Sequence, residues 1–165
     1  MKNLFIVMAL ALGLAVTASA QVGQNITVTA NLTRGLTWTT VGNNGSTLNF
    51  GTITLPVTTA PSISPTSTSA VQLSLLGDNN ASVSFTIPTS ASLTGPGSSN
   101  LTFTANVMGS SSQSSPGTIS GNQQLSSNGN YYIWVGGNLP NSIPTTQATG
   151  QYSGTYEITV QYVGS

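Results

Sequence analysis

The 165-residue chain carries two basic and two acidic side chains, no histidine and no cysteine. Proton transfer, metal ligation and covalent catalysis draw almost entirely on His, Cys, Lys, Asp and Glu, so this composition argues against an enzyme and against any metal or cofactor site. It also excludes a disulfide scaffold, and a single arginine cannot neutralise the several phosphates of a nucleic-acid surface.

Residues 1–20 have the layout of a secretory signal: Lys2 is followed by an apolar run over 4–16 and by Ala18-Ser19-Ala20 before Gln21. The run is short of the roughly 20 residues that cross a bilayer, so no membrane span is expected in the mature chain. Residues 21–165 should then form a single exported domain, extracellular or at the cell surface, large enough to fold without disulfides. Ile26, Val28, Ala30 and Leu32 alternate with Asn25, Thr27, Thr29 and Asn31, and after Gly35 the period of two resumes in Leu36, Trp38 and Thr40. Past the turn-forming Gly42-Asn43-Asn44-Gly45, further strands are predicted around Leu48, Phe50 and 53–55. The segment 58–69 is a Thr/Ser/Pro loop.

Val71, Leu73 and Leu75 predict the next strand, and Ala81, Val83, Phe85 and Ile87 another; Gly77-Asp78-Asn79-Asn80 between them reads as a hairpin connection. Leu101, Phe103, Ala105 and Val107 follow. Residues 109–130 form a Ser/Gly-rich loop with Ile119 and Leu125 as its only large apolar residues. Residues 131–135 are then a strand, and Tyr152, Tyr156, Ile158, Val160 and Tyr162 close the chain. No helical periodicity appears after residue 20. The expected fold is all-β, an antiparallel sandwich of about seven or eight strands.

Two segments carry a family resemblance. One is Leu48-Asn49-Phe50-Gly51-Thr52-Ile53; the other is Val135-Gly136-Gly137-Asn138-Leu139 with Gln147 and the run from Gly150 to Tyr162, of which Gly-x-Tyr-x-Gly-x-Tyr is the most specific part. Together they resemble the bacterial secreted family known as domain of unknown function 4402, whose members look like pilins and spore-coat-type surface proteins. The resemblance covers most of residues 21–165 and implies an Ig-like or pilin-like form of the sandwich. The chain departs from the family pattern in its near-total loss of charge and in the Ser-rich stretch 109–130.

Candidate sites are few. Asp78 and Glu157, the only acidic residues, would have to stand within roughly 5–9.5 Å to act as a glycosidase pair; alternation turns Glu157 to solvent, and Asp78 suits its turn for backbone reasons. Asp78-Asn79-Asn80 offers one carboxylate where calcium takes six to eight oxygens. Trp38, Tyr131, Tyr132, Trp134 and Tyr152 are candidates for a sugar-stacking platform or, equally, for core. Sequons begin at Asn25, Asn31, Asn44, Asn80 and Asn100, about the number that this composition yields by chance.

The expected function is a structural subunit that self-assembles into an extracellular, pilus-like fibre or surface layer; the alternative is a monomeric adhesin or carbohydrate-binding module with a glycan partner. A surface without charge suits an assembly, where charge repulsion would be a cost. Segment 21–33 has two readings that alternation does not separate. Ile26, Val28, Ala30 and Leu32 are either the buried face of the domain's own first strand or the face of a strand donated to a neighbour, with Gly35 as the hinge.

Intact-mass measurement of the secreted protein is expected to find a chain that starts at Gln21, cyclised and without a primary amine, and that trypsin cuts only after Arg34. A secreted species that retains Lys2 would overturn the export reading.

Overall fold

The computed structural model describes residues 35–42 and 44–164, and the segment 21–33 lies outside them. The described chain is all-β, with one 3-10 turn at Pro96–Ser98 and no helix long and apolar enough to cross a membrane. Its strands are β1 (Thr37–Thr40), β2 (Ser62–Ile63), β3 (Val71–Leu76), β4 (Ser82–Thr86), β5 (Ser90–Thr94), β6 (Asn100–Ser110), β7 (Gly117–Thr118), β8 (Gln123–Gln124), β9 (Asn130–Asn138) and β10 (Thr159–Tyr162). Seven of them form one curled sheet in the order β1-β3-β9-β6-β5, with β2 added to β9 and β7 to β6; the other three form a second sheet, β10-β4-β8. Every ladder among the described residues is antiparallel. This is the sandwich that the alternating pattern predicts.

The core lies between the two sheets. Leu75 of β3, Ile133 of β9 and Val83 of β4 are fully enclosed, and Val71, Tyr131 and Val135 join them. The period of two explains the choice: on β9, Tyr131, Ile133 and Val135 share the inward face. Trp134 points the other way yet is only 4% exposed, and on that same face residues 63–65 lie directly against Gly136. A Cβ at Gly136 would run into the Ile63 carbonyl and lie 2.7 Å from the Pro65 nitrogen, so only glycine lets that backbone settle so close.

Three expectations change. Residues 77–80 are not a hairpin: β3 already has β1 on one edge and β9 on the other, so the chain must leave that sheet and enter the second one at β4. The crossover is held by Gly77 N–H to the Gly129 carbonyl (2.9 Å) and Asn80 N–H to the Ser126 carbonyl (3.0 Å). Residues 48–55, predicted as strand, have no ladder partner among the described residues, and Gly51 interrupts them at φ +71°, its N–H donating to Asn49 Oδ1 at 2.8 Å. Conversely β5, whose only sizeable apolar residues are Ala91 and Leu93, forms the outer edge of the large sheet against β6.

The Ser/Gly-rich stretch 109–130 also proves to be part of the fold. It supplies the two short strands β7 and β8. Leu125 is 1% exposed, among the best buried side chains described, and Gln123 Oε1 accepts the Tyr131 hydroxyl at 2.8 Å. At the adjacent Gly77 a Cβ would sit 2.7 Å from both Leu125 Cδ1 and Tyr162 Oη and 2.8 Å from Leu36 Cδ2, so these three side chains close one end of the sandwich over that glycine.

Leu125→Ala is expected to destabilise the domain by about 2–5 kcal/mol, the range for a fully buried Leu truncated to Ala. Exposed Ser127→Ala should stay within about 0.5 kcal/mol. Denaturant unfolding compares the two; equal midpoints would mean that the 109–130 stretch does not contribute to the core.

Candidate functional site

At the end of the sandwich away from Gly77 the inner face of the large sheet is only partly covered. A groove of about 1040 Å³ opens there, with Val71, Leu73, Val135, Leu101, Phe103 and Leu93 contributed by β3, β9, β6 and β5. Two further segments, 46–55 and 147–158, line it. Phe103 holds them to the floor through its ring, edge-on to Phe50 of one (centroids 6.1 Å, 68°) and to Tyr156 of the other (5.6 Å, 80°), an arrangement that aromatic quadrupoles favour.

Both segments are pinned at their ends. Asn44 Nδ2 donates to the carbonyls of Thr68 (2.7 Å) and Ala70 (3.1 Å) before the first, and Val57 bridges Ile143 after it. Before the second, Tyr152 donates to the Ala148 carbonyl at 2.7 Å and accepts from Gln147 Nε2 at 2.7 Å. Ser153 bridges Thr94 on β5, Tyr156 donates to the Pro88 carbonyl at 2.6 Å, and the chain then becomes β10. Between these pins, residues 48–55 and 154–158 have no ladder partner among the described residues; burial alternates as in a strand over 48–50, 53–55 and 155–158, and the alternation breaks at the exposed Gly51 and Thr52, where Gly51 takes φ +71°. Leu48, Phe50, Ile53 and Leu55, and likewise Tyr156 and Ile158, are partly buried, while Asn49, Thr54, Thr155 and Glu157 are exposed.

The residues singled out from sequence do not converge on one site. Tyr131 (2% exposed) is core and Trp134 lies buried on the opposite face of β9, with Tyr132 beside it at 6.3 Å. Trp38 packs against Phe85 at 6.3 Å and, like Tyr152, lines the groove. These five aromatics form no common platform. Asp78 sits in the 77–80 crossover, its backbone N–H donating to Tyr162 Oη at 2.8 Å, whereas Glu157 is exposed on a groove-lining segment. Among the sequons, the Asn44 amide is engaged by two carbonyls, while Asn80 and Asn100 are exposed. Ile26, Val28, Ala30 and Leu32 lie outside the described residues; Gly35 is exposed, with open space around it. The groove itself was not anticipated. Its only sequence signal is the pair of strand-like patterns, 48–55 and 152–162, that exceed the ladders the fold supplies.

Residues 27–162 match the family model described as Domain of unknown function (DUF4402). No curated protein matches the chain.

Burial raises the Tyr156 phenol above its ordinary value and pushes Tyr131 from 10.0 up to about 12. Each favours its neutral form in the folded state, so their stabilising contribution is whole below pH 10 and is lost as pH rises through the folded values, toward 12 for Tyr131. Unfolding midpoints should therefore fall steeply over that window, and Tyr131→Phe should flatten the fall. A wild-type profile level across the window would refute this.

Proposed function

The chain belongs to the DUF4402 family, and from that premise we propose that it is a secreted structural subunit of an extracellular fibre or surface layer, joined to its neighbours by strand addition at the groove. The observation that carries this reading is an apolar groove lined by two segments that carry strand-like patterns, the first interrupted at Gly51, but that have no ladder among the described residues. Unpaired extended backbone is a template for another chain's strand, and β-strand addition supplies main-chain hydrogen bonds while pockets on one face select alternate side chains. The composition agrees, since only Asp78 and Glu157 among the described residues are charged and subunits of this surface would pack without repulsion. The same scarcity makes a catalytic role a poor fit. An adhesin that stacks sugars on aromatics would need a platform that Tyr131 and Trp134, buried on opposite faces of β9, do not provide.

Size-exclusion chromatography and negative-stain microscopy test the proposal. The secreted protein should give filaments or a polydisperse high-mass peak. Ile53→Asp places a charge on a groove-lining, partly buried position and should yield folded monomers, since a carboxylate covered by an incoming strand without a partner costs several kcal/mol. A wild-type protein that remains a monomer and binds a glycan array would overturn the subunit reading.

A further inference from the structure

We infer that the occupant of the groove is segment 24–33 of a second copy of this chain, lying antiparallel to residues 151–158; this rests on the subunit reading above. The segment has the right chemistry. Ile26, Val28, Ala30 and Leu32 share one face of an extended strand and Asn25, Thr27, Thr29 and Asn31 the other. No charged residue falls between 21 and 33, so nothing ionised would be carried onto the apolar floor. Ten extended residues reach about 33 Å, ample for a groove whose lining segment 48–55 is eight residues long. The inserted strand would also account for an otherwise idle pattern: Tyr156 and Ile158 turn inward, Thr155 and Glu157 outward, on backbone that has no ladder among the described residues.

Direction decides which copy supplies the strand. Residues 151–162 run toward the Gly77 end of the sandwich, where Tyr162 Oη accepts the Asp78 N–H at 2.8 Å. Leu36 lies at that same end, its Cδ2 packed with Tyr162 Oη around Gly77. The chain's own segment 24–33 joins Leu36 through Arg34 and Gly35 alone. Laid in its own groove, it would also run toward the Gly77 end and would pair parallel with 151–158. Every ladder described in this fold is antiparallel, and parallel pairing is the less stable per residue. A segment from a second copy is free of that tether and enters in the antiparallel sense. Gly35, exposed and with no described atom near a Cβ placed there, would let the segment leave its own domain.

The chain has no native cysteine, so introduced thiols report position without background. Full-length single variants at the outward donor positions (Asn25→Cys, Thr27→Cys, Thr29→Cys, Asn31→Cys) would be mixed pairwise with Thr155→Cys or Glu157→Cys, oxidised, and run on non-reducing gels. The expected result is a shift from monomer to disulfide-linked dimer in selected mixtures. Moving from Thr155→Cys to Glu157→Cys should move the best donor partner two residues toward the N-terminus, as an antiparallel register requires. A shift of the best partner toward the C-terminus means parallel pairing and overturns the inference. So does a chain carrying both a donor and a rim cysteine that closes only on itself and stays monomeric, since the strand is then its own. Filaments on the grid with no trapped dimer would reject this occupant and leave the subunit reading standing; monodisperse protein with no trapped dimer would reject both.

Discussion

The structure hangs on β9. It is hydrogen-bonded to β3 along one edge and to β6 along the other, with β2 added near its end, and it is buried on both faces. Ile133 faces the core without exposure, while on the opposite face Trp134 is buried and Gly136 admits the close approach of residues 63–65. A strand paired along both edges satisfies its backbone through its neighbours, and from Ile133 to Gly137 every residue of β9 is buried. With no disulfide and almost no charge to draw on, this ladder and the packing on it are what hold the chain together. The two faces demand different things of the sequence, an aliphatic and aromatic alternation inward and a glycine-permitted close approach outward, and both are written into residues 131–137.

From this strand the fold is complete in one direction and incomplete in the other. Toward Gly77 the sheets are closed by Leu36, Leu125 and Tyr162 meeting over one glycine. Toward Leu93 and Ile143 the second layer thins to two segments tied at their ends, and between them part of the apolar floor of the large sheet is left uncovered by the described residues. Apolar surface left in a groove of this size tends to mark an interaction site. The aromatic contacts of Phe103 with Phe50 and Tyr156 keep the two segments in place, so the groove is held open by the fold itself.

The scarcity of charge links the two halves of this picture. A monomer usually relies on net charge to stay apart from its copies, and this surface depends on Ser, Thr, Asn and Gln instead. Side-chain amides and hydroxyls are spent locally, as where Asn44 ties two carbonyls and Tyr152 pins the approach to the groove.

Alternation alone determined the all-β class, strands around 36–40, 71–75, 81–87, 101–107 and 131–135, and the inward face of the closing segment, because a half-buried strand writes its orientation into every second residue. Composition alone determined that the chain has no histidine, no cysteine and only four charged side chains. Partners were not legible. The turn residues at 77–80 suit a hairpin as well as a crossover, and only the occupation of both edges of β3 decides for the crossover. Leu125 and β5 were hidden in Ser/Thr-rich sequence, since one or two apolar residues make no period and their burial depends on what the distant Gly77 and β6 leave room for. The groove was least legible of all. Residues 48–55 and 154–158 read as strands, which is what their side chains are spaced for, but whether such a strand finds a partner depends on the sheets around it, and that is a property of tertiary structure that no local pattern contains.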